Sequence, residues 1–141
     1  MGLRPQLQEI VDDFAESPKA LRLAMLLEFA DGLPELPERL REAGVLDQVH
    51  ECQTPFFVAA EPAEDGTVDL WFDAPPEAPT TRGYAGVLRA GLSGATASEI
   101  LETPSSFFTE MQLSELISPL RLRGMGAILA HIKRQVVAAQ S

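Results

Sequence analysis

The chain has 141 residues, 45% of them hydrophobic and 23% charged, which is a typical balance for one globular domain. No apolar run approaches the roughly 18–20 residues of a membrane span, and the N-terminus lacks the apolar core of a signal peptide. The net charge of −10 makes nucleic acid a poor partner, because a phosphate backbone repels an acidic surface. We therefore expect one domain over residues 1–141, located in the cytoplasm, with no nucleic acid or membrane partner.

Charge is distributed unevenly along the chain. All 21 acidic residues lie at or before Glu115, whereas the segment from Leu116 to Ser141 carries four basic residues and no acidic one. This basic segment has two interpretations. It forms either a solvated helix face or a positive patch that could hold an anion or a thiolate.

The first two thirds of the chain change from helical to strand-like periodicity. Apolar spacing predicts helices over about 6–15, 18–31 and 38–43. The second of these is apolar over most of its circumference, which predicts a place central to the core. Strands are predicted over about 45–50, 56–60 and 67–74, with the Asp-Gly pair at 65–66 forming a hairpin turn.

Helical spacing returns in the last third of the chain. A helix is predicted over about 81–92, and short helices are predicted to open at Thr96, Thr103 and Ser114. The final helix spans about 121–138, with an apolar stripe that is typical of core packing. The order of elements predicts an α+β fold in which several helices cover one face of a three-stranded antiparallel sheet.

Cys52 is the single cysteine of the chain. One cysteine excludes an internal disulfide and a Cys-only metal site, so no metal is expected. Cys52 follows one predicted strand and precedes another, which favours a loop where a thiol is reachable. His50, two residues away, and Arg121, at the start of the final helix, are candidate cations that would favour the thiolate, whereas Glu51 would disfavour it.

The motifs of familiar enzymes do not occur in the sequence. A papain-like thiol enzyme needs a histidine base and an orienting Asn or Asp, and the chain contains no Asn. Glycine-rich loops of the Walker or dinucleotide-binding type are absent as well. A single thiol without a cofactor suits a protein that accepts a chemical group and passes it on.

Four blocks in the same order resemble the SufE family, the sulfur acceptors that work with group II cysteine desulfurases. The blocks are Ile10–Phe14, Leu26–Pro37, Val49–Thr54 and Ile117–Met125. The third is similar to the family's Val-x-Gly-Cys-Gln-Ser segment and aligns Cys52 with the reactive cysteine. Two departures are visible: Glu51 stands where the family usually has glycine, and Pro79–Tyr84 replaces a Ser-Asp-Ala stretch.

The resemblance implies a fold, a mechanism and partners. The fold is SufE/IscU-like, and Cys52 takes sulfur as a transient persulfide from a SufS-like, PLP-dependent cysteine desulfurase, which the protein activates. The sulfur then passes to a SufB-type scaffold for iron–sulfur cluster assembly. The resemblance also places Arg121 near the cysteine loop, where it could stabilise charge on sulfur. The protein would be a carrier rather than an enzyme and would have no bound cofactor.

Three alternatives remain. The protein could be a non-catalytic adaptor that binds a desulfurase, with Cys52 incidental. It could be a CsdE-like relay that carries sulfur outside the main assembly pathway. An iron–sulfur scaffold of related fold is disfavoured, because such a scaffold needs about three cysteines.

Overall fold

The computed structural model describes residues 3–52 and 54–140, which form helices around one sheet. The helices are α1 (Pro5–Glu16), α2 (Lys19–Asp31), α3 (Glu38–Ala43), α4 (Pro79–Leu92), α5 (Ala97–Glu102) and α6 (Pro119–Gln140), with a 3₁₀ turn at Phe107–Met111. The strands are β1 (Asp47–Gln48), β2 (Phe57–Pro62), β3 (Thr67–Asp73) and β4 (Ala95–Thr96). The predicted α+β class is therefore confirmed.

The sheet is antiparallel throughout, in the order β1-β2-β3-β4. The central pair β2–β3 is joined by the predicted hairpin, where Gly66 has a φ of +88° that a glycine adopts without strain. The expected first strand over 45–50 is reduced to the two residues of β1. The sheet has four strands rather than three, because the two-residue β4 also pairs with β3. So short a strand has no periodicity that could be read from sequence.

Helix α4 is the central helix of the core. Nine of its residues are buried, and its contact with α2 depends on two glycines. A Cβ on Gly83 would lie 2.3 Å from the carbonyl oxygen of Leu26, and one on Gly86 would lie 2.3 Å from that of Phe29. The backbones of α2 and α4 therefore approach more closely than any side chain would permit.

The expectation that α2 is central to the core is wrong. Only Leu26 and Ala30 of this helix are buried. Leu21, Leu23 and Leu27 are 54%, 40% and 36% exposed, respectively. The close backbone contact with α4 uses a narrow strip of α2, so the remaining apolar side chains stay at the surface although the helix is apolar nearly all round.

The segment before α6 also differs from expectation. Thr103 is followed by the 3₁₀ turn at 107–111 rather than by an α-helix, and the helix predicted at Ser114 is wrong. At this point the Leu113 carbonyl accepts hydrogen bonds from the N–H groups of Leu116 and Ile117. They form a single turn that does not extend into a helix. Pro119 explains the stop, because the residue before a proline is disfavoured in α conformation.

Helix α6 begins at Pro119, two residues earlier than predicted, and its apolar stripe is confirmed as core. Met125, Leu129, Ile132 and Val136 are buried, and Leu122 is partly buried. In the part of the chain that the structure describes, no helix is both long and apolar enough to cross a membrane. The first half of α6 lies beside the loop between β1 and β2, which holds Cys52.

Candidate functional site around Cys52

The loop that carries Cys52 is anchored at both ends. Val49 is fully buried, and its N–H donates to the Phe56 carbonyl at 2.8 Å. Phe56 is also fully buried and packs against the ring of Phe72, with centroids 6.1 Å apart. The Cys52 N–H closes a turn onto the Val49 carbonyl at 3.1 Å. Cys52 therefore projects from a short loop whose ends are fixed to the sheet and the core.

The Cys52 thiol lies against helix α6. Its Sγ is 3.9 Å from the carbonyl oxygen of Gly124, which accepts a weak hydrogen bond from the S–H. A Cβ on Gly124 would lie 3.4 Å from Sγ and 3.5 Å from the Glu51 carbonyl oxygen. Such a Cβ would be in ordinary van der Waals contact with both atoms, so the loop already packs closely on the helix at Gly124.

A small cavity of about 20 Å³ adjoins the thiol. It is lined by Glu51, Cys52, Thr54, Ala78, Thr81, Leu120, Arg121 and Gly124. A space of this volume holds about one water-sized molecule. The cysteine side chain of another protein cannot enter it while the loop is closed.

Two causes raise the pKa of the Cys52 thiol to about 11 from its ordinary 9.0. The larger is burial, which disfavours the charged thiolate, and the second is the negative charge of Glu51. At neutral pH, a pKa raised this far corresponds to about a hundredfold smaller thiolate fraction. Since the thiolate is the nucleophile, Cys52 is a weak nucleophile in this closed arrangement.

Arg121 lies at the site. The sequence made it a candidate on the condition that the start of the last helix packs near the loop, and the structure meets that condition. It is exposed, lines the same cavity as Cys52, and donates through Nη1 to the Thr80 hydroxyl oxygen at 3.0 Å. Thr80 belongs to Pro79–Tyr84, the segment that departs from the family pattern, and this segment is the first turn and a half of α4. The Thr80 hydroxyl of this segment therefore helps to orient Arg121.

His50 is placed differently. Its side chain is exposed in the turn before Cys52 and does not line the cavity. Within the described ranges, it forms no hydrogen bond or ion pair. Nothing in the closed arrangement therefore connects His50 to the thiol.

The sequence did not predict a contact that His131 on α6 makes with the cysteine loop. Its Nδ1 is 2.7 Å from Asp47 Oδ2, and its Nε2 is 2.9 Å from Glu51 Oε1. A hydrogen bond to its own backbone, then the contact with His131, lowers the pKa of Glu51 below its usual range. No local signal in the sequence pairs His131 with residues about eighty positions earlier.

Comparison with known proteins adds a second line of evidence. The family model described as "SufE: Fe-S metabolism associated domain" matches residues 8–136. An uncharacterized SufE-like protein of Mycobacterium tuberculosis is 51% identical over 135 residues, covering 96% of this chain and 94% of that protein. A SufE-like protein of Synechocystis is 29% identical over 140 residues, covering 98% of this chain and 84% of that one.

A solved structure has the same fold. It is the solution structure of a hypothetical protein from Thermus thermophilus, with a TM-score of 0.86 and 44% sequence identity. The match covers 99% of this chain and 98% of that one.

Proposed function

The chain belongs to the SufE family, whose domain is associated with Fe–S metabolism, and on that premise we propose that Cys52 is a sulfur acceptor. In this proposal, the protein takes sulfur from a SufS-like, PLP-dependent cysteine desulfurase and stimulates that enzyme by removing its product. It delivers the sulfur to a SufB-type scaffold for cluster assembly. The observation that carries the proposal is the location of the chain's single thiol, on a closed loop beside Arg121.

Transfer is a thiol exchange in which atoms and electrons balance. The Cys52 thiolate attacks the outer sulfur of a persulfide on the desulfurase cysteine, forming a new S–S bond. The original S–S bond breaks, and its electron pair leaves on the desulfurase cysteine as a thiolate. The outer sulfur moves without net oxidation or reduction, and Cys52 becomes a persulfide.

This reaction requires the loop to open. The cavity of about 20 Å³ has no room for the partner's cysteine, and burial holds the pKa of the thiol at about 11. Opening removes the burial that is the larger cause of the raised pKa, so access and thiolate fraction increase together. A desulfurase that binds the open loop would therefore activate Cys52 as it docks.

Arg121 supports the proposal through its position on the cavity wall. Its guanidinium is fixed by Thr80 and is exposed toward solvent, where an incoming persulfide would approach. Sulfur carries negative charge in the thiolate, in the persulfide anion and in the transition state between them. A fixed cation at this position would stabilise that charge.

Intact mass measurement tests the proposal directly. The purified protein is incubated with a cysteine desulfurase, its PLP and L-cysteine, with and without reductant. We expect a mass gain of one sulfur atom that reductant removes and that maps to Cys52. Cys52→Ser is the matched control, because it keeps the size of the side chain and removes the thiol. A sulfur gain in this variant, or none in the wild type beside an active desulfurase, contradicts the carrier role.

A non-catalytic adaptor is the second candidate, favoured by the weak nucleophilicity of the closed thiol. An adaptor would stimulate the desulfurase through binding alone. Cys52→Ser separates the two functions, since it retains stimulation for an adaptor and abolishes it for a carrier. Incubating the sulfur-loaded protein with different recipients then distinguishes delivery to a SufB-type scaffold from a CsdE-like relay.

A further inference from the structure

His131 connects α6 to both ends of the segment that precedes Cys52. It is 7% exposed, and its two ring nitrogens contact carboxylates of Asp47 in β1 and Glu51 in the loop. Those carboxylates are four residues apart in sequence, and the segment between them includes the fully buried Val49. The three residues therefore form one bridge, which we name the Asp47–His131–Glu51 bridge.

The chemistry of imidazole sets what the bridge requires. A neutral histidine has one N–H, and a carboxylate only accepts hydrogen bonds. Both contacts are hydrogen bonds only when both ring nitrogens carry a proton, so the complete bridge is made by the imidazolium. Hydrogen bonds between charged groups of this kind are about twice as strong as neutral ones.

The two carboxylates are held at opposite sides of the ring. They approach Nδ1 and Nε2, respectively, and do not converge on one point. Across residues 3–52 and 54–140, no group of three or more acidic, His or Cys side chains could hold a metal ion. The arrangement is therefore suited to tying chain segments together and not to ligating a cation.

The bridge lies close to the thiol along α6. His131 is seven residues after Gly124, which corresponds to about 10 Å along the helix axis. The loop thus touches α6 at two points: the Cys52 thiol at Gly124 and the Glu51 carboxylate at His131. The contact at Gly124 is a weak hydrogen bond of 3.9 Å, and among the described residues the stronger polar contacts of the loop with α6 are made by Glu51, which contacts His131 and is also attracted by Arg134.

We propose that His131 is a positioning residue that holds the Cys52 loop closed on α6, and that sulfur transfer requires the Asp47–His131–Glu51 bridge to break. This inference rests on the proposed function. Without His131, Asp47 and Glu51 would lose the group that joins them and would leave two negative charges on opposite sides of the vacated position, where they would repel each other. The loop would then lose its main polar attachment to α6.

While the bridge is intact, only a minor fraction of the molecules has the Cys52 loop open, and this should affect the kinetics of sulfur transfer. When only a fraction of molecules can bind a partner, the measured dissociation constant increases by the inverse of that fraction. Weakening the bridge should lower the KM of the desulfurase for this acceptor while leaving the saturated rate nearly unchanged. A variant that merely damaged the fold would raise KM or lower the rate.

The first test measures the rate at which iodoacetamide alkylates Cys52 in the folded protein near neutral pH. We expect His131→Gln to react about tenfold faster, since one charge-assisted hydrogen bond shifts an opening equilibrium by about this factor. Asp47→Asn should also react faster, and it tests the bridge without altering the charge of Glu51 beside the thiol. The side chain of Asp47 is 40% exposed, so this variant remains testable if His131→Gln fails to fold.

Glu61→Gln is the matched control. Glu61 lies in β2, away from the loop, and its partly exposed carboxylate forms an ion pair with Arg39 of α3. The substitution removes that ion pair. We expect its alkylation rate to equal that of the wild type. The double variant Asp47→Asn with His131→Gln should react no faster than His131→Gln alone, because both changes break one bridge.

The two proposals fail in different ways. Equal alkylation rates in the wild type and in Asp47→Asn, or a tenfold increase in Glu61→Gln, overturn the role of the bridge, whatever the sulfur assay gives. Faster alkylation together with an unchanged or higher KM for sulfur acceptance overturns the link between the bridge and transfer. Failure of sulfur loading on wild-type Cys52 overturns the proposed function but leaves the alkylation result intact.

Discussion

The sulfur of Cys52 and the carbonyl oxygen of Gly124 lie 3.9 Å apart, so the half-buried thiol contacts the backbone of α6. The loop packs closely on α6 at this point, since a Cβ on Gly124 would be in van der Waals contact with Sγ. The closed conformation of the loop therefore depends on contacts with α6 as well as on the residues of the loop itself. Substitutions in the loop or in α6 can therefore change the reactivity of the thiol.

Glu51→Gln should lower the pKa of Cys52. The negative charge of Glu51 is one of the two causes that raise this pKa, and glutamine is nearly isosteric without the charge. Loss of the charge alone should lower the pKa only part of the way toward 9.0, since burial is the larger cause, and any loop opening caused by loss of the contact with His131 should lower it further. Titration of thiolate absorbance, with Cys52→Ser subtracted, measures the change. Glu64→Gln, in the hairpin at the far end of β2, should leave the titration unchanged.

The stability of the protein should depend on pH through Cys52. The folded pKa of about 11 lies above the ordinary 9.0, so the unfolded chain ionises first as the pH rises. The contribution of the protonated thiol is complete below pH 9.0 and is lost as the pH rises through about 11. Urea unfolding across this interval should show a steeper decline for the wild type than for Cys52→Ser, because burial also raises the pKa of Tyr84 and that group contributes equally in both proteins. Parallel declines in the two proteins would contradict the burial of the thiol.

Arg121→Ala should fold normally and accept sulfur more slowly. The guanidinium is exposed, so its removal should slow transfer by up to about fivefold, the range of an exposed charge interaction. Single-turnover transfer from a persulfidated desulfurase measures this rate. Arg123→Ala removes an equal charge two residues along the same helix and does not line the cavity. Equal rates for the two variants would show that only overall charge matters.

Gly83→Ala should weaken the packing of α2 against α4. The new Cβ would lie 2.3 Å from the Leu26 carbonyl oxygen, so one of the helices must shift. Overpacking of this kind lowers the free energy of unfolding by about 1–3 kcal/mol. Gly32→Ala is the control, since its Cβ would meet its nearest neighbour at 3.6 Å and its φ is −84°. Urea denaturation should leave this control as stable as the wild type or slightly more so.

Local signals were enough to predict many of the elements. The Asp-Gly turn at 65–66 gives the β2–β3 hairpin, and the residues that begin at Thr96 form the predicted capping box with Glu99. Alternating burial along β3 follows its alternating polarity. These features depend on neighbours within a few residues, which a sequence shows directly.

Features that depend on contacts between distant parts of the chain were harder to predict from the sequence. The apolar character of α2 predicted a central helix, but Leu21 and Leu23 are exposed, because Gly83 and Gly86 bring α4 against another strip. The sequence signal for this contact was glycine within a helix, which by itself indicates flexibility as readily as close packing.

The candidate site was predicted in part. Cys52 in a loop follows from its position between predicted strands, whereas Arg121 beside it was implied by the resemblance to the SufE family; both residues line one cavity. His131 was not predicted to touch the loop, because its partners Asp47 and Glu51 are distant in sequence. A buried histidine on an apolar stripe gives no indication of which carboxylates it meets.

The closed loop also has a consequence for oxidative damage. Peroxide converts thiolates to sulfenic acid and then, irreversibly, to sulfinic and sulfonic acids. A thiol with a pKa of about 11, beside a cavity of about 20 Å³, offers peroxide little thiolate and little space. The chain has no second cysteine that could trap a sulfenic acid as an internal disulfide. The closed loop therefore protects the single thiol of this chain from irreversible oxidation.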